Sequence, residues 1–115
     1  MSVTIYHNPQ CSKSRQTLAL LEQRGIKPEI IEYLVTPPTE AELKRLLRLL
    51  GIPPRKLLRT KEEEYKRAKL DRPGVSDDEI IRALVKYPRL MERPIVVSGD
   101  KAAIGRPPEN ILKII

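Results

Sequence analysis

Apolar residues recur along the chain in two spacings, one typical of short strands and one typical of helices. β-Branched and apolar runs predict strands over residues 3–6, 29–34, 94–97 and 102–104. Leucine, isoleucine and valine at helical spacing predict helices over 12–24, from 39 to 51 and from 76 to 88. A short charged helix is predicted over 62–69, and a last helix opens at Pro107-Pro108. The predicted order is β-α-β, a helical insert, then β-β-α.

Start and stop signals fix several helix ends. Thr39 with Glu42, and Ser76 with Glu79, have the spacing of a capping box, in which two backbone N–H groups at a helix start are satisfied reciprocally. Gly25 is expected to close the first helix as its C-terminal cap. These signals favour three well-bounded helices.

The element order defines the expected fold class. We predict an α/β protein with a mixed four-stranded sheet flanked by helices on both faces. Residues 1–115 are expected to form one domain, with a helical insert at about 39–88 between the two strand-rich halves.

The composition narrows the class of protein and its expected location in the cell. The chain is 40% hydrophobic with four Tyr and no Phe or Trp, enough for one aliphatic core. No stretch approaches the ~20 apolar residues of a membrane span, so no membrane role is expected. The first residues lack the pattern of a signal peptide, and one cysteine cannot form an internal disulfide. We therefore expect a cytoplasmic protein.

The net charge is +7, from 22 Lys and Arg against 15 Asp and Glu. Such an excess can attract nucleic acid, an acidic protein or an anionic substrate. The basic residues are spread out, however, and aromatic residues for base stacking are nearly absent. Nucleic acid is therefore not an expected partner, and the protein is expected to be a monomer.

Cys11 is the strongest candidate for chemistry. It follows a strand and a proline-containing loop, which places it at the carboxyl edge of the sheet, where open α/β folds bind ligands. It also precedes the first helix, whose free N–H groups and dipole favour a thiolate. His7, Lys13 and Arg15 add positive or potentially positive charge nearby. The alternative is a small buried core residue, which the polar neighbours disfavour.

Cys11 to Ser14 has the spacing of a redox CxxC motif, with serine in the second cysteine position. Any intermediate on the Cys11 sulfur must then be resolved by a thiol from another molecule. Ser14 can donate a hydrogen bond toward a thiolate or a bound anion, or it can be an ordinary polar residue of a first helical turn.

Three arginines lie at element ends: Arg59, Arg93 and Arg106. Guanidinium groups bind tetrahedral oxyanions in a fork, although each arginine taken alone is typical of a surface position. Pro94 directly after Arg93 indicates a fixed backbone beside the active loop, for which a cis peptide bond is one solution.

The segment from Tyr6 to Arg15, with the sequence YHNPQCSKSR, resembles the active-site signature of the glutaredoxin-dependent arsenate reductase family. The likeness covers essentially the whole chain. It continues through residues 33–34, 36–39, 57–59, 92–97 and 105–107.

The resemblance implies a thioredoxin-like fold with a helical insert and a specific chemistry. In that family the cysteine attacks arsenate, glutathione adds to the bound arsenic, and glutaredoxin completes the reduction to arsenite. No bound cofactor or metal is implied. By motif, the family's three oxyanion-binding arginines match Arg59, Arg93 and Arg106, and its histidine that helps to keep the thiol ionised matches His7. The nucleophile is then Cys11, and the supporting residues are His7, Ser14, Arg15 and Pro94.

Two other functions are compatible with these residues. One is a different glutathione-linked thiol reaction, such as reduction of a glutathione mixed disulfide, which would not need three arginines. The other is binding to the RNA polymerase α-subunit, as in related transcription regulators. Those regulators usually carry a true CxxC switch, whereas Ser14 replaces its second cysteine here.

Overall fold

The computed structural model describes residues 2–115 and divides them into two units. The first unit contains residues 2–36 and 93–115, and the second contains Pro37–Glu92. The predicted insert, at about 39–88, falls within the second unit. The organisation of 1–115 as one domain stays a prediction.

The first unit is built on a four-stranded sheet in the order β2-β1-β3-β4. Its strands are β1 (Val3–His7), β2 (Glu29–Glu32), β3 (Ile95–Ser98) and β4 (Lys101–Ile104). β1 pairs in parallel with β2 and antiparallel with β3, and β3 and β4 form an antiparallel hairpin. The predicted mixed four-stranded sheet is thereby confirmed.

Helix α1 (Ser12–Gln23) connects the two parallel strands and ends in a Schellman motif. Gly25 has φ +74°, a left-handed conformation that suits glycine, and its N–H donates to Glu22 O at 3.0 Å. The capping residue itself is Arg24, so Gly25, the predicted cap, lies one position beyond the observed one. Buried aliphatic side chains from the strands, α1 and the C-terminal segment form the core of this unit: Val3, Ile5, Leu21, Val96 and Ile111.

The second unit is helical. It contains α2 (Glu40–Leu50), α3 (Glu63–Arg67) and α4 (Asp77–Lys86), with short 3₁₀ helices at Pro54–Leu57 and Pro88–Leu90. Both predicted capping boxes are confirmed. Thr39 Oγ1 accepts from the Glu42 N–H at 3.1 Å, and Ser76 Oγ accepts from the Glu79 N–H at 3.2 Å, with the glutamate side chains reaching back.

Two predicted elements are shorter than expected. The strand predicted over 29–34 ends at Glu32, because the Val35 and Thr36 N–H groups both donate to the Glu32 carbonyl and turn the chain. The helix predicted over 62–69 shrinks to Glu63–Arg67, and Lys69 at φ +57° is incompatible with helix continuation.

The final helix is a 3₁₀ helix, Pro108–Lys113, rather than an α-helix. Its bonds have i to i+3 spacing, for example Asn110 N–H to Pro107 O at 3.0 Å. The segment has only six residues, too few to gain many i to i+4 hydrogen bonds, so the tighter 3₁₀ geometry is retained. The strand predicted to begin at Pro94 begins at Ile95, since Pro94 has no N–H to donate to the sheet.

Candidate active site

Cys11 is the N-cap residue of α1, at the end of the loop that leaves β1. Its backbone is extended, with φ −97° and ψ 122°, and its carbonyl accepts the Arg15 N–H at 3.0 Å. The Cys11 N–H donates to Asn8 O at 3.0 Å, and the Asn8 side chain accepts from the Gln10 N–H at 2.9 Å. Asn8 therefore fixes the conformation of the loop that positions Cys11. Its place before Pro9 in the sequence indicates a loop but not this role.

Ser14 and His7 form a buried polar pair beneath this loop. Ser14 is fully buried and His7 is 6% exposed, and His7 Nδ1 lies 2.6 Å from Ser14 Oγ. Ser14 Oγ also accepts from the Asn8 N–H at 3.0 Å. The hydroxyl thus ties the end of β1 to the first turn of α1, so Ser14 is not an ordinary exposed residue of a helix start.

The β3–β4 hairpin brings two of the predicted arginines to the cysteine. Arg93 precedes β3 and Arg106 follows β4, and the antiparallel pairing of Ile95 with Ile104 places both at one end of the hairpin. The Arg106 Nη2 atom lies 3.7 Å from Cys11 Sγ, and its Nε donates to Arg93 O at 2.9 Å. Arg93 itself is 9% exposed.

The peptide bonds before Pro94 and Pro107 are both cis. The first agrees with the fixed backbone predicted at Arg93-Pro94. The second, between Arg106 and Pro107, was not predicted from the sequence. Pro94 is buried and its carbonyl accepts the Gly105 N–H at 2.9 Å, which joins the two arginine-bearing segments.

Competing effects set the ionisation of the thiol. Burial raises the pKa of Cys11, the Ser14 N–H and the Arg93 charge lower it, and the Lys13 N–H and the Arg106 charge lower it further. The pKa of the Cys11 thiol therefore lies below its ordinary value. Backbone N–H groups at a helix start and nearby guanidinium groups are the surroundings that favour a nucleophilic thiolate.

The source of positive charge at the thiol differs from the expectation. The sequence predicts that it comes from His7, Lys13 and Arg15, whereas the side-chain charges that lower the pKa of Cys11 are those of Arg93 and Arg106. Lys13 acts through its backbone N–H. The guanidinium of Arg15 points back to the loop and donates to Pro9 O at 2.8 Å.

His7 is held toward its neutral form. Burial lowers the pKa of His7, the Glu32 carboxylate raises it, and the charge of Arg15 lowers it again. The net result is a pKa below 6.5. The role of His7 in keeping the thiol ionised stays a prediction. The contact of its ring with Ser14 supports the helix start.

Arg59 belongs to the second unit. Its backbone N–H donates to Leu90 O at 2.8 Å, beside an isolated bridge between Leu58 and Met91. Its side chain pairs with Glu62 at 2.8 Å and is 26% exposed. The role of Arg59 in oxyanion binding stays a prediction.

Residues 2–115 contain no cluster of three His, Cys, Asp or Glu side chains that could hold a metal ion. None of the helices in this range is both long and apolar enough to cross a membrane.

The first unit defines a class. A mixed four-stranded sheet flanked by helices, with a cysteine at the start of the helix after the first strand, is the arrangement of a thioredoxin-like thiol protein.

Comparison with known proteins identifies the family within this class. The ArsC family model matches residues 6–114. A Haemophilus influenzae protein named arsenate reductase is 52% identical over 116 residues, which is 100% of both chains. The Escherichia coli protein YfgD, whose name states no function, is 52% identical over 114 residues, covering 98% of this chain and 96% of its own. The solved structure of an arsenate reductase from Vibrio cholerae has a TM-score of 0.97 at 53% identity, covering 100% of this chain and 98% of its own. The chain belongs to the ArsC family and has its thioredoxin-like fold.

Proposed function

We propose that this protein reduces arsenate to arsenite, with Cys11 as nucleophile, glutathione as co-substrate and glutaredoxin as the final reductant. The observation that carries the proposal is the Cys11 thiol with a lowered pKa and a guanidinium 3.7 Å from its sulfur. A thiolate next to a fixed positive group suits attack on the central atom of an oxyanion. The names of the H. influenzae and V. cholerae relatives support arsenate as the substrate.

The proposed reaction balances without a second cysteine in the chain. The Cys11 thiolate attacks arsenic, a sulfur–arsenic bond forms, and one oxygen leaves as water. The glutathione thiol then displaces a second oxygen, again as water. A glutaredoxin thiolate attacks the glutathione sulfur, and the electron pair of that sulfur–arsenic bond reduces As(V) to As(III). A glutathione–glutaredoxin mixed disulfide results, and hydrolysis of the remaining bond releases arsenite and regenerates Cys11.

The chain's own residues have distinct parts in this scheme. The helix start and the nearby charges keep Cys11 ionised. Oxyanion binding is assigned to three guanidinium groups, which offer paired donors to arsenate oxygens. These belong to Arg59, Arg93 and Arg106. Arg15, Ser14 and His7 hold the loop and the first helical turn around the cysteine.

The proposal includes a setting. Glutathione and glutaredoxin keep thiols reduced in the cytosol, so we place the protein in the cytoplasm, where it would act as a monomer.

The test is a coupled assay with purified protein, glutathione, glutaredoxin, glutathione reductase and NADPH. NADPH should be consumed only when arsenate is added, and Cys11→Ser should abolish consumption, since no other thiol is available in the chain. Activity on a glutathione mixed disulfide but not on arsenate would reassign the protein to general thiol reduction. Inactivity in both assays with tight binding to RNA polymerase would identify a regulator.

A further inference from the structure

Thr17 is a fully buried polar residue in the second turn of α1, one turn beyond the cysteine-bearing end. Its Oγ1 lies 2.8 Å from Lys13 O within the helix and 3.4 Å from Gly105 O, a residue 88 positions away in sequence. A buried threonine that bonds only within its own helix would contribute little beyond packing. The contact with Gly105 instead joins α1 to the segment that follows β4.

Gly105 is required by lack of space rather than by backbone conformation, since it is not among the glycines with positive φ. A Cβ at this position would lie 2.5 Å from Thr17 Oγ1, 3.0 Å from Thr17 Cγ2 and 2.9 Å from Pro94 Cγ. Real Cβ atoms do not approach other atoms this closely, and the obstructing atoms belong to a buried helix residue and a proline ring.

Three segments therefore meet at one contact. Thr17 lies on the helix that begins at Cys11, Pro94 follows Arg93, and Gly105 precedes Arg106. The Gly105 N–H also donates to Pro94 O at 2.9 Å. Any shift at Gly105 must move at least one of these segments relative to the other two.

We propose that Thr17 and Gly105 are positioning residues, whose close contact sets the distance from the Cys11 sulfur to the guanidinium groups of Arg93 and Arg106. The part that concerns oxyanion binding rests on the proposed function. Neither residue reaches the sulfur, and both act through the arginine-bearing segments. The Thr17–Gly105 contact positions the two arginines, as the Ser14–His7 pair positions the loop before Cys11.

A double-mutant cycle tests this contact. Gly105→Ala introduces a methyl group that must displace Thr17, Pro94 or both. Thr17→Ala removes the two threonine atoms that this methyl would meet, so the loss in the double variant should be smaller than the sum of the two single losses. Full recovery is not expected, because the Pro94 ring remains 2.9 Å away.

Two measurements follow the cycle, and neither depends on turnover. One is the rate of Cys11 alkylation by iodoacetamide at fixed pH, which reports the thiolate. The other is protection of Cys11 from alkylation by arsenate, which reports oxyanion binding. Gly105→Ala should weaken protection roughly 10-fold to 10²-fold, since a displacement near 1 Å of a positioning group can cost about 10²-fold. Its alkylation should also be slower than that of the wild type.

Gly25→Ala is the matched control. Gly25 lies at the far end of the same helix, with φ +74° and nothing within 4 Å of an added Cβ. This change strains the backbone and lowers stability, but should leave alkylation and arsenate protection unchanged. A general loss of stability is thereby separated from a loss of positioning.

The proposal is overturned if Gly105→Ala folds and keeps wild-type alkylation and protection, or if the effects of Gly105→Ala and Thr17→Ala simply add in the double variant. If Gly105→Ala does not fold, a second pair decides. Thr17→Ala removes both threonine atoms that face Gly105, and Thr17→Val keeps the shape. Slower alkylation in the first with near-wild-type alkylation in the second supports the proposal, and equal rates in both overturn it. Lack of arsenate protection in the wild type would refute the proposed function alone, because the alkylation rates still report positioning.

Discussion

Replacing Arg106 is the most direct test of the proposed oxyanion site. Arg106→Ala removes the guanidinium whose Nη2 atom lies 3.7 Å from Cys11 Sγ, together with the Nε bond to Arg93 O at 2.9 Å. Arg106→Lys keeps the charge but offers a single donor point in place of a fork. Arg48→Ala, on the exposed face of α2, serves as the surface control.

The expected loss has two physical sources. At 3.7 Å, the attraction between a thiolate and a guanidinium is about 1 kcal/mol in the dielectric of water and about 4.5 kcal/mol at an effective dielectric constant near 20. Arg106 is exposed, so solvent screening favours the lower figure, about a fivefold effect on the thiolate. Loss of a donor to the transition state adds to this, and removal of one such donor typically costs about 10²–10³ in rate.

We therefore expect Arg106→Ala to lower kcat/KM for arsenate by roughly 10²–10³, with partial recovery in Arg106→Lys. The coupled NADPH assay measures this loss, iodoacetamide alkylation at fixed pH isolates the thiolate contribution, and thermal melting checks that the fold persists. Arg48→Ala should remain close to wild type. Wild-type kcat/KM in Arg106→Ala would refute the reasoning, because the arginine whose Nη2 lies 3.7 Å from the sulfur would then take no part in catalysis.

Three further predictions follow from ionisation and ion pairing. The alkylation rate of Cys11 should rise with pH to a midpoint below that of a free cysteine, because the folded state favours the thiolate; a midpoint at or above the free value would contradict an activated thiol. Burial lowers the pKa of His7 below 6.5, so the unfolded chain binds this proton more readily and the free energy of unfolding should fall as pH decreases below about 6.5. Urea unfolding should show a weaker fall in His7→Gln. Equal dependence of the unfolding free energy on pH in both proteins would exclude this contribution. If Arg59 binds arsenate, Glu62 competes for its guanidinium, so Glu62→Gln should lower KM for arsenate. The decrease should be no more than about fivefold, since such a partly exposed ion pair is worth at most about 1 kcal/mol. An unchanged KM would argue against a role for Arg59.

The local elements follow from the sequence alone. Both capping boxes, at Thr39 and Ser76, could be predicted because each joins residues only three positions apart. The same holds for Cys11 at the start of α1, since a strand, a proline-containing loop and a helix follow one another directly in the chain. Hydrogen bonds between near neighbours and the spacing of apolar residues can be predicted from the sequence alone.

Element ends were less predictable from the sequence. β2 stops at Glu32 because the next residues turn, although Tyr33 and Leu34 continue the apolar pattern. The last segment forms a 3₁₀ helix because it is short, and helical spacing cannot distinguish the two helix types over six residues.

The surroundings of the thiol were decided only by the tertiary structure. Arg106 is 95 residues from Cys11 in sequence, and it reaches the sulfur because β3 and β4 pair antiparallel beside β1. The contact between Thr17 and Gly105 could not be predicted from the sequence. The burial of the threonine and the lack of space around the glycine arise only when the two segments pack together. Strand pairing and side-chain packing set distances between remote residues, so without the family resemblance the sequence could not assign Arg93 and Arg106 to the surroundings of this thiol.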